Sequence, residues 1–166
     1  LQLMASDLGL AHSMGYPLYI WLAHIFTYLP FGDIAYRVNL FSTFSAICAL
    51  ALLYSITFRF MQGRALLKHA AAITAVSLLG SSHNFWLVAT QAQVYALQVF
   101  LSLVVLFLVL EWGSVKSIKL LLLAAFVSGL ICGNHLISAA LAPGVFLALF
   151  LDPLKRWKNP LWFCGL

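Results

Sequence analysis

Long apolar runs, broken at intervals by short basic clusters, leave this chain very few ways to fold. IAYRVNLFSTFSAICALALLYSITFRF covers residues 34–60, and VYALQVFLSLVVLFLVLEW covers 94–112. A helix needs ~20 apolar residues to cross the hydrocarbon core of a bilayer, about 17 at the short end. The chain is 64% hydrophobic and 8% charged, with mean hydropathy +1.02. A soluble domain carries about 25% charged residues. Too little polar surface exists to cover a globule in water, so the sequence specifies an all-α, polytopic transmembrane helix bundle.

Five stretches qualify as spans: Ile34 to Phe60, Leu66 to Leu79, Ala92 to Trp112, Ile118 to Cys132, and Leu136 to Leu151. The second can continue through SSHN into FWLVA. Only Gly133-Asn134-His135 separates the last two, which predicts a tight helical hairpin or a broken helix. Ahead of them all lies PLYIWLAHIFTYLP, residues 17–30, bracketed by prolines and rich in Tyr and Trp. It is short for a span, and its composition predicts an interfacial helix. Residues 1–166 read as a fragment of a single membrane domain: an outer loop over 1–33, then about five transmembrane helices over 34–166, with LWFCGL starting another.

The basic residues orient the bundle. Arg59, Arg64 and Lys68 fall between the first and second spans, and Lys116 and Lys119 between the third and fourth. Lys155, Arg156 and Lys158 follow the fifth. These three loops alternate correctly to share one side and hold eight of the nine Lys/Arg residues. The positive-inside rule makes that side cytoplasmic. The net charge of +5 therefore reports membrane orientation; the basic residues form no stripe interleaved with aromatics, and no nucleic-acid partner is expected. Membrane lipid is. Cys48, Cys132 and Cys164 have no metal-ligand spacing, no HExxH is present, and no metal site is expected.

The periplasmic or lumenal side then receives residues 1–36, the SSHNFW–TQAQ turn and the Gly-Asn-His turn. Four of the five histidines, His12, His24, His83 and His135, fall there. Asp7, Asp33, Asn84, Gln91, Gln93, Tyr95 and Asn134 join them. Ionisable groups at membrane depth are costly and face a cavity or a partner, so this side is where a membrane-embedded site belongs. Each residue also has a purely structural reading. His24 suits a headgroup-facing position on the interfacial helix. His12 precedes a Gly-Tyr-Pro turn, where Gly15 can take positive φ and Pro17 can open a helix. His83 and Asn84 can cap a helix, Gly133-Asn134 can stop one, and Asp33 can cap the first span. Arg37 is the one outer Lys/Arg. Its planar fork suits a phosphate; the structural alternative is an ion pair with Asp33, four residues earlier.

LGLAHSMGYPLY, YRVNLFS, NFW followed by QVYAL, and GNHL followed by LAPG occur in that order. This set resembles a family of multi-pass membrane proteins long labelled a domain of unknown function, some of whose eukaryotic members are protein O-mannosyltransferases. The family is similar to the GT-C glycosyltransferases, which use lipid-phosphate sugars at the outer or lumenal membrane face. The resemblance runs from about Gly9 to Leu151, and His12-x-x-Gly15-Tyr16-Pro17-Leu18 is its most specific part. Arg37, Asn39, Trp86, Val94, Tyr95, Leu97, Gly133, Asn134 and His135 also match. It implies a GT-C-like bundle and a span preceding this fragment.

Two departures matter. Ser13-Met14 stands where the family commonly has Pro-Pro, and Gln93 stands where it commonly has Glu. The family's acidic pair falls just ahead of Leu1-Gln2-Leu3, outside the sequence. The resemblance implies transfer of a sugar, with mannose a candidate, from a polyprenyl-phosphate donor to a hydroxyl acceptor such as a protein Ser/Thr. Inverting transfer needs a base at the acceptor hydroxyl and donors at the departing phosphate. The expected phosphate contacts are Arg37, His12 and His135. Tyr16, His83, Asn84, Gln93, Tyr95 and Asn134 complete the expected substrate site, and Asp7 is the in-chain candidate base. No cofactor beyond the lipid-linked donor is expected. A membrane transporter or flippase and a noncatalytic GT-C-like scaffold remain the rival readings; Gln93 points toward the scaffold, and a transporter would need discontinuous helices and repeats.

Overall fold

A computed structural model describes residues 1–9 and 16–135, together with Gly144 and Leu147. Seven helices occur among the described residues: α1 (Gln2–Asp7), α2 (Pro17–Phe26), α3 (Ile34–Phe60), α4 (Ala65–Gly80), α5 (His83–Thr90), α6 (Val94–Val115) and α7 (Ile118–Asn134). The described fold is all-helical, as composition dictates. His12, the expected fifth span and the basic cluster at 155–158 lie outside the described residues.

Local chemistry sets most of the boundaries. Pro17 opens α2 at its first turn, where its missing N–H costs nothing. Tyr16 before it is left-handed, at φ 46° and ψ 49°. Positive φ at this turn thus falls on a tyrosine; the glycine expected to carry it, Gly15, is outside the described residues. Asp33 caps α3, its Oδ1 accepting from the Tyr36 N–H at 2.7 Å. Gly32 just before it has φ +69°, and a Cβ there would stand 2.6 Å from the Tyr36 ring, so only glycine fits this turn. Ser82 caps α5 by accepting from the Phe85 N–H at 3.2 Å, which leaves the expected capping residues His83 and Asn84 exposed.

Helices α3 and α6 are each long and apolar enough to cross a membrane. Together α4 and α5 pass the same test, but they bend by 70° at residues 81–82. The run expected to continue through SSHN is therefore broken there. Helix α7 has 17 residues, at the short end of spanning length.

Helix α6 packs between α3 and α7, with α4 on the far flank of α3. Ala46, Ala89 and Ala96 let α3, α5 and α6 approach closely, the usual way of packing helices in lipid. Val105, Leu108, Ala124, Val127 and Ile131 form the α6–α7 seam. Helix α2 lies across this bundle. It buries Tyr19, Ile20 and Ala23 against Val38, Phe41, Val94 and Leu97. Trp21 and Ile25 on α2 and Tyr28 just beyond its end are exposed, aromatic and apolar side chains of the type that anchors at a headgroup layer.

The bundle has two chemically different ends. At one, the Arg59 guanidinium forks onto both carboxylate oxygens of buried Glu111, with Nη2 2.9 Å from Oε2. Phe60 and Phe107 pack edge to face beside them. Arg64, Lys68, Lys116 and Lys119 flank the same helix termini. The other end holds the N-terminal half of α3, the α5–α6 junction and the C-terminus of α7. Ser42–Gln93, Thr43–Ala89 and Asn134–Val94 hydrogen bonds join them. The charge sorting read from sequence is thus a spatial one within the described residues.

Candidate functional site

Helix α7 ends on Asn134, and its terminus is driven against the start of α6. Asn134 is fully buried. Its Nδ2 donates to the Val94 carbonyl at 3.0 Å and to Gln98 Oε1 at 3.1 Å. Its Oδ1 is buried and has no hydrogen-bond partner among the described residues. A buried amide oxygen left unpaired is destabilising by roughly 1–3 kcal/mol, so this atom marks a place where a hydroxyl or N–H would be welcome.

His135 follows, half-buried, with extended backbone. Its ring stacks on Tyr16 at 5.9 Å and 11°, and meets Tyr95 at 5.5 Å and 44°. Three segments far apart in sequence therefore build one aromatic cradle: the N-terminus of α2, the first turn of α6 and the end of α7. The left-handed Tyr16 backbone is the strained element that aims its ring at His135.

One turn along α2 from Tyr16, a polar seam joins α2 to α3. The Tyr19 hydroxyl and Ser42 Oγ are 2.8 Å apart and fully buried. Ser42 in turn meets the backbone of Gln93. Burial pushes the Tyr19 phenol up to about 12, with the Ser42 hydrogen bond pulling the other way.

The remaining expected residues are placed apart. His83 and Asn84 are exposed on α5, and their side chains join no hydrogen bond among the described residues. Gln93 directs its amide to Gln91 Oε1 at 3.0 Å. Asp7 is exposed at the end of α1 and accepts from Ser6 Oγ at 2.8 Å.

Arg37 donates from Nε to the Phe31 carbonyl at 2.9 Å, from Nη1 to Thr27 at 2.7 Å and from Nη2 to Gly32 at 2.8 Å. It forms no ion pair with Asp33. Arg37 thus ties the exit of α2 to the start of α3, while His135 meets the entry of α2. Tyr16 and Thr27 are eleven residues apart on that helix, which is about 16 Å. Arg37 and His135 therefore meet opposite ends of α2, and His12, the third expected phosphate contact, lies outside the described residues. His24 is engaged within the protein: Nδ1 is 2.7 Å from the Ala5 carbonyl and Nε2 is 2.9 Å from the exposed Tyr28 hydroxyl. A carbonyl only accepts, so Nδ1 carries a proton and His24 pins α1 to α2.

Two contributors escaped the sequence reading. Gln98 receives the Asn134 amide, and Gln2 donates to Asn39 Oδ1 at 3.0 Å, joining α1 to α3. Gln98 had a signal, being a lone amide within the VYALQVF run. No cluster of three metal-type side chains occurs among the described residues.

Residues 1–158 match the family model described as the Protein O-mannosyl-transferase TMEM260 N-terminal domain. The chain belongs to this family. A curated mouse (Mus musculus) relative named Protein O-mannosyl-transferase TMEM260 is 34% identical over 140 residues, covering 80% of this chain. The aligned part is 19% of that protein, so the chain spans about a fifth of the relative it matches. No solved structure matches the chain. Both the cradle and the Arg37 clamp lie inside the residues that match the family.

Proposed function

We propose that the full-length protein transfers a sugar, mannose as the leading candidate, from a polyprenyl-phosphate donor to a protein Ser/Thr hydroxyl at the non-basic, periplasmic or lumenal end of the bundle. The observation that carries this reading is the cradle of Tyr16, Tyr95 and His135 beside the buried, unpaired Asn134 Oδ1. A pyranose offers apolar C–H faces to aromatic rings and hydroxyls to polar groups, and the cradle supplies both through its rings and the phenols of part-exposed Tyr16 and Tyr95.

The reaction is written as an inverting displacement. The acceptor hydroxyl gives its proton to a carboxylate and its oxygen bonds to the anomeric carbon. The anomeric C–O bond to phosphate breaks, and the lipid phosphate leaves with the electron pair. His135, in the cradle, has ring N–H groups that could donate to that phosphate, and His12 is the second candidate on sequence grounds. The resemblance assigns that carboxylate to an acidic pair ahead of Leu1, and Asp7 is the in-chain substitute. Arg37 stabilises α2 in place and is assigned no contact with the reacting atoms.

A noncatalytic reading has one observation in its favour. Gln93 and Gln91 pair as neutral amides where the family resemblance places a carboxylate. The test is transfer of labelled mannose from polyprenyl-phosphate mannose to Ser/Thr peptides by the full-length protein in membranes, beside His135→Ala and Asn134→Ala. Transfer lost in both variants at unchanged expression supports the reading. Absence of transfer in the folded wild type, restored by Gln93→Glu, identifies an inactive relative.

A further inference from the structure

Under the C-terminal half of α2 lies an apolar groove of about 230 Å³, walled by Leu22, Phe26, Phe41, Phe44, Cys48 and Phe100. It is separate from the aromatic cradle, which sits at the opposite end of α2. Arg37, Phe41, Phe44 and Cys48 follow one another at intervals of four, three and four residues on α3, so they share one face. Cys48 lies 14 residues into α3, about 21 Å along its axis. The groove's α3 wall runs from Phe41 to Cys48, about 10 Å along the axis, and Arg37 adds one turn above it, so head and groove together cover about 16 Å, close to one leaflet of a hydrocarbon core of about 30 Å.

Three physical arguments say what fills it. The walls are almost wholly apolar, so water there would lack the two to four polar partners it needs. Left empty, the lining would forfeit its dispersion contacts on that side. The material at hand at that depth is a lipid chain. At the head of the groove, Arg37 is already oriented by three backbone carbonyls, which leave its charge unneutralised. Two of its five N–H groups have no partner among the described residues, and Asp33 is occupied in capping α3. A fixed guanidinium with spare donors suits a phosphate oxygen.

We propose that this groove and Arg37 form a binding site for a membrane phospholipid, one acyl chain between α2, α3 and α6 and the phosphodiester on Arg37. A resident phospholipid fits better than the sugar donor. A phosphate at Arg37 lies about 16 Å along α2 from the cradle, farther than a sugar attached to that phosphate reaches. The lipid would fix the tilt of α2 and so the position of Tyr16 at its far end.

The test needs no sugar transfer. Full-length protein is placed in nanodiscs containing phosphatidylglycerol with a diazirine on one acyl chain, irradiated, and the labelled residues are mapped. Labelling is expected to concentrate on Phe44, Cys48 and Phe100 above that at Phe126, a lipid-exposed position on α7. Cys48→Trp and Leu22→Phe fill the groove from opposite walls. Each should reduce groove labelling to the Phe126 level. A diazirine diacylglycerol, which lacks the phosphate, should label the groove no more than Phe126. Uniform labelling in the wild type, or labelling unchanged in folded Cys48→Trp and Leu22→Phe variants, overturns the proposal. So does displacement of the phospholipid by an equal amount of polyprenyl phosphate, which would assign the groove to the donor.

Discussion

Arg37 shows how one side chain organises a turn. Its three N–H···O=C bonds close residues 27–32 into a compact loop, and Gly32, at φ +69°, brings one of those carbonyls into reach. Arg37→Lys keeps the charge but removes the fork. We expect limited proteolysis to open the segment between Thr27 and Asp33 in Arg37→Ala and, to a smaller degree, in Arg37→Lys, with stability falling by about 1–3 kcal/mol in the former. Gly32→Ala should open the same segment without touching a charge, because its Cβ would strike the Tyr36 ring. Tyr19 offers a titration. Its phenol is pushed up to about 12 from 10.0. Burial makes the folded state hold this proton more tightly than the unfolded state. The stabilisation is therefore complete below pH 10.0 and is lost as pH rises toward 12. Spectrophotometric titration of tyrosinate should show a late phase that Tyr19→Phe abolishes. That variant should also lower stability by about 1 kcal/mol through the lost Ser42 hydrogen bond.

At the scale of elements, the α3–α6 pair is fastened at its basic end by Arg59 and Glu111, and the two partners are unequal. Glu111 is buried, whereas the Arg59 side chain is 56% exposed. Deleting Arg59 leaves a buried carboxylate without a partner; deleting Glu111 leaves an arginine free to turn to water. Arg59→Ala should therefore lower the Tm more than Glu111→Ala, and Glu111→Gln should be the mildest of the three. Scanning fluorimetry in detergent reads this order directly, and equal losses would mean that the ion pair is not what fastens the helices. The α4–α5 break is the second lesson at this scale. Hydropathy runs on across SSHN, so the sequence offered a continuous span. Ser82 instead caps a new helix bent 70° from the last, its hydroxyl accepting from the Phe85 N–H. Ser82→Ala should cost about 1 kcal/mol and loosen α5, detectable as faster hydrogen exchange over residues 83–90.

For the whole molecule, the testable statement concerns sidedness. Single cysteines introduced at Gly63 and Ser117 should react with an impermeant thiol reagent from one side of the membrane, and those at Gly32 and Gln91 from the other. Labelling of Gly63 and Gly32 from the same side would overturn the orientation. Much of this was legible beforehand. Apolar runs of spanning length fix an all-helical answer, since lipid offers backbone groups no partner outside a helix. The spacing of Arg59, Arg64, Lys68, Lys116 and Lys119 fixed which helix ends lie together. Pro17 and Asp33 announced two helix starts through local backbone chemistry alone. These features depend on neighbours in the chain, and a sequence records its neighbours. What required tertiary structure was everything that depends on which faces meet. Tyr16, Tyr95 and His135 are spread over three helices, and only the crossing of α2 over the bundle makes them one cradle. The same crossing sends Arg37 to the other end of α2, although sequence chemistry alone grouped it with His135. His24, read as a surface residue by composition, became a pin between α1 and α2 because Ala5 happened to present a carbonyl to it. A residue's type fixes what it can bond, and packing decides what stands within reach.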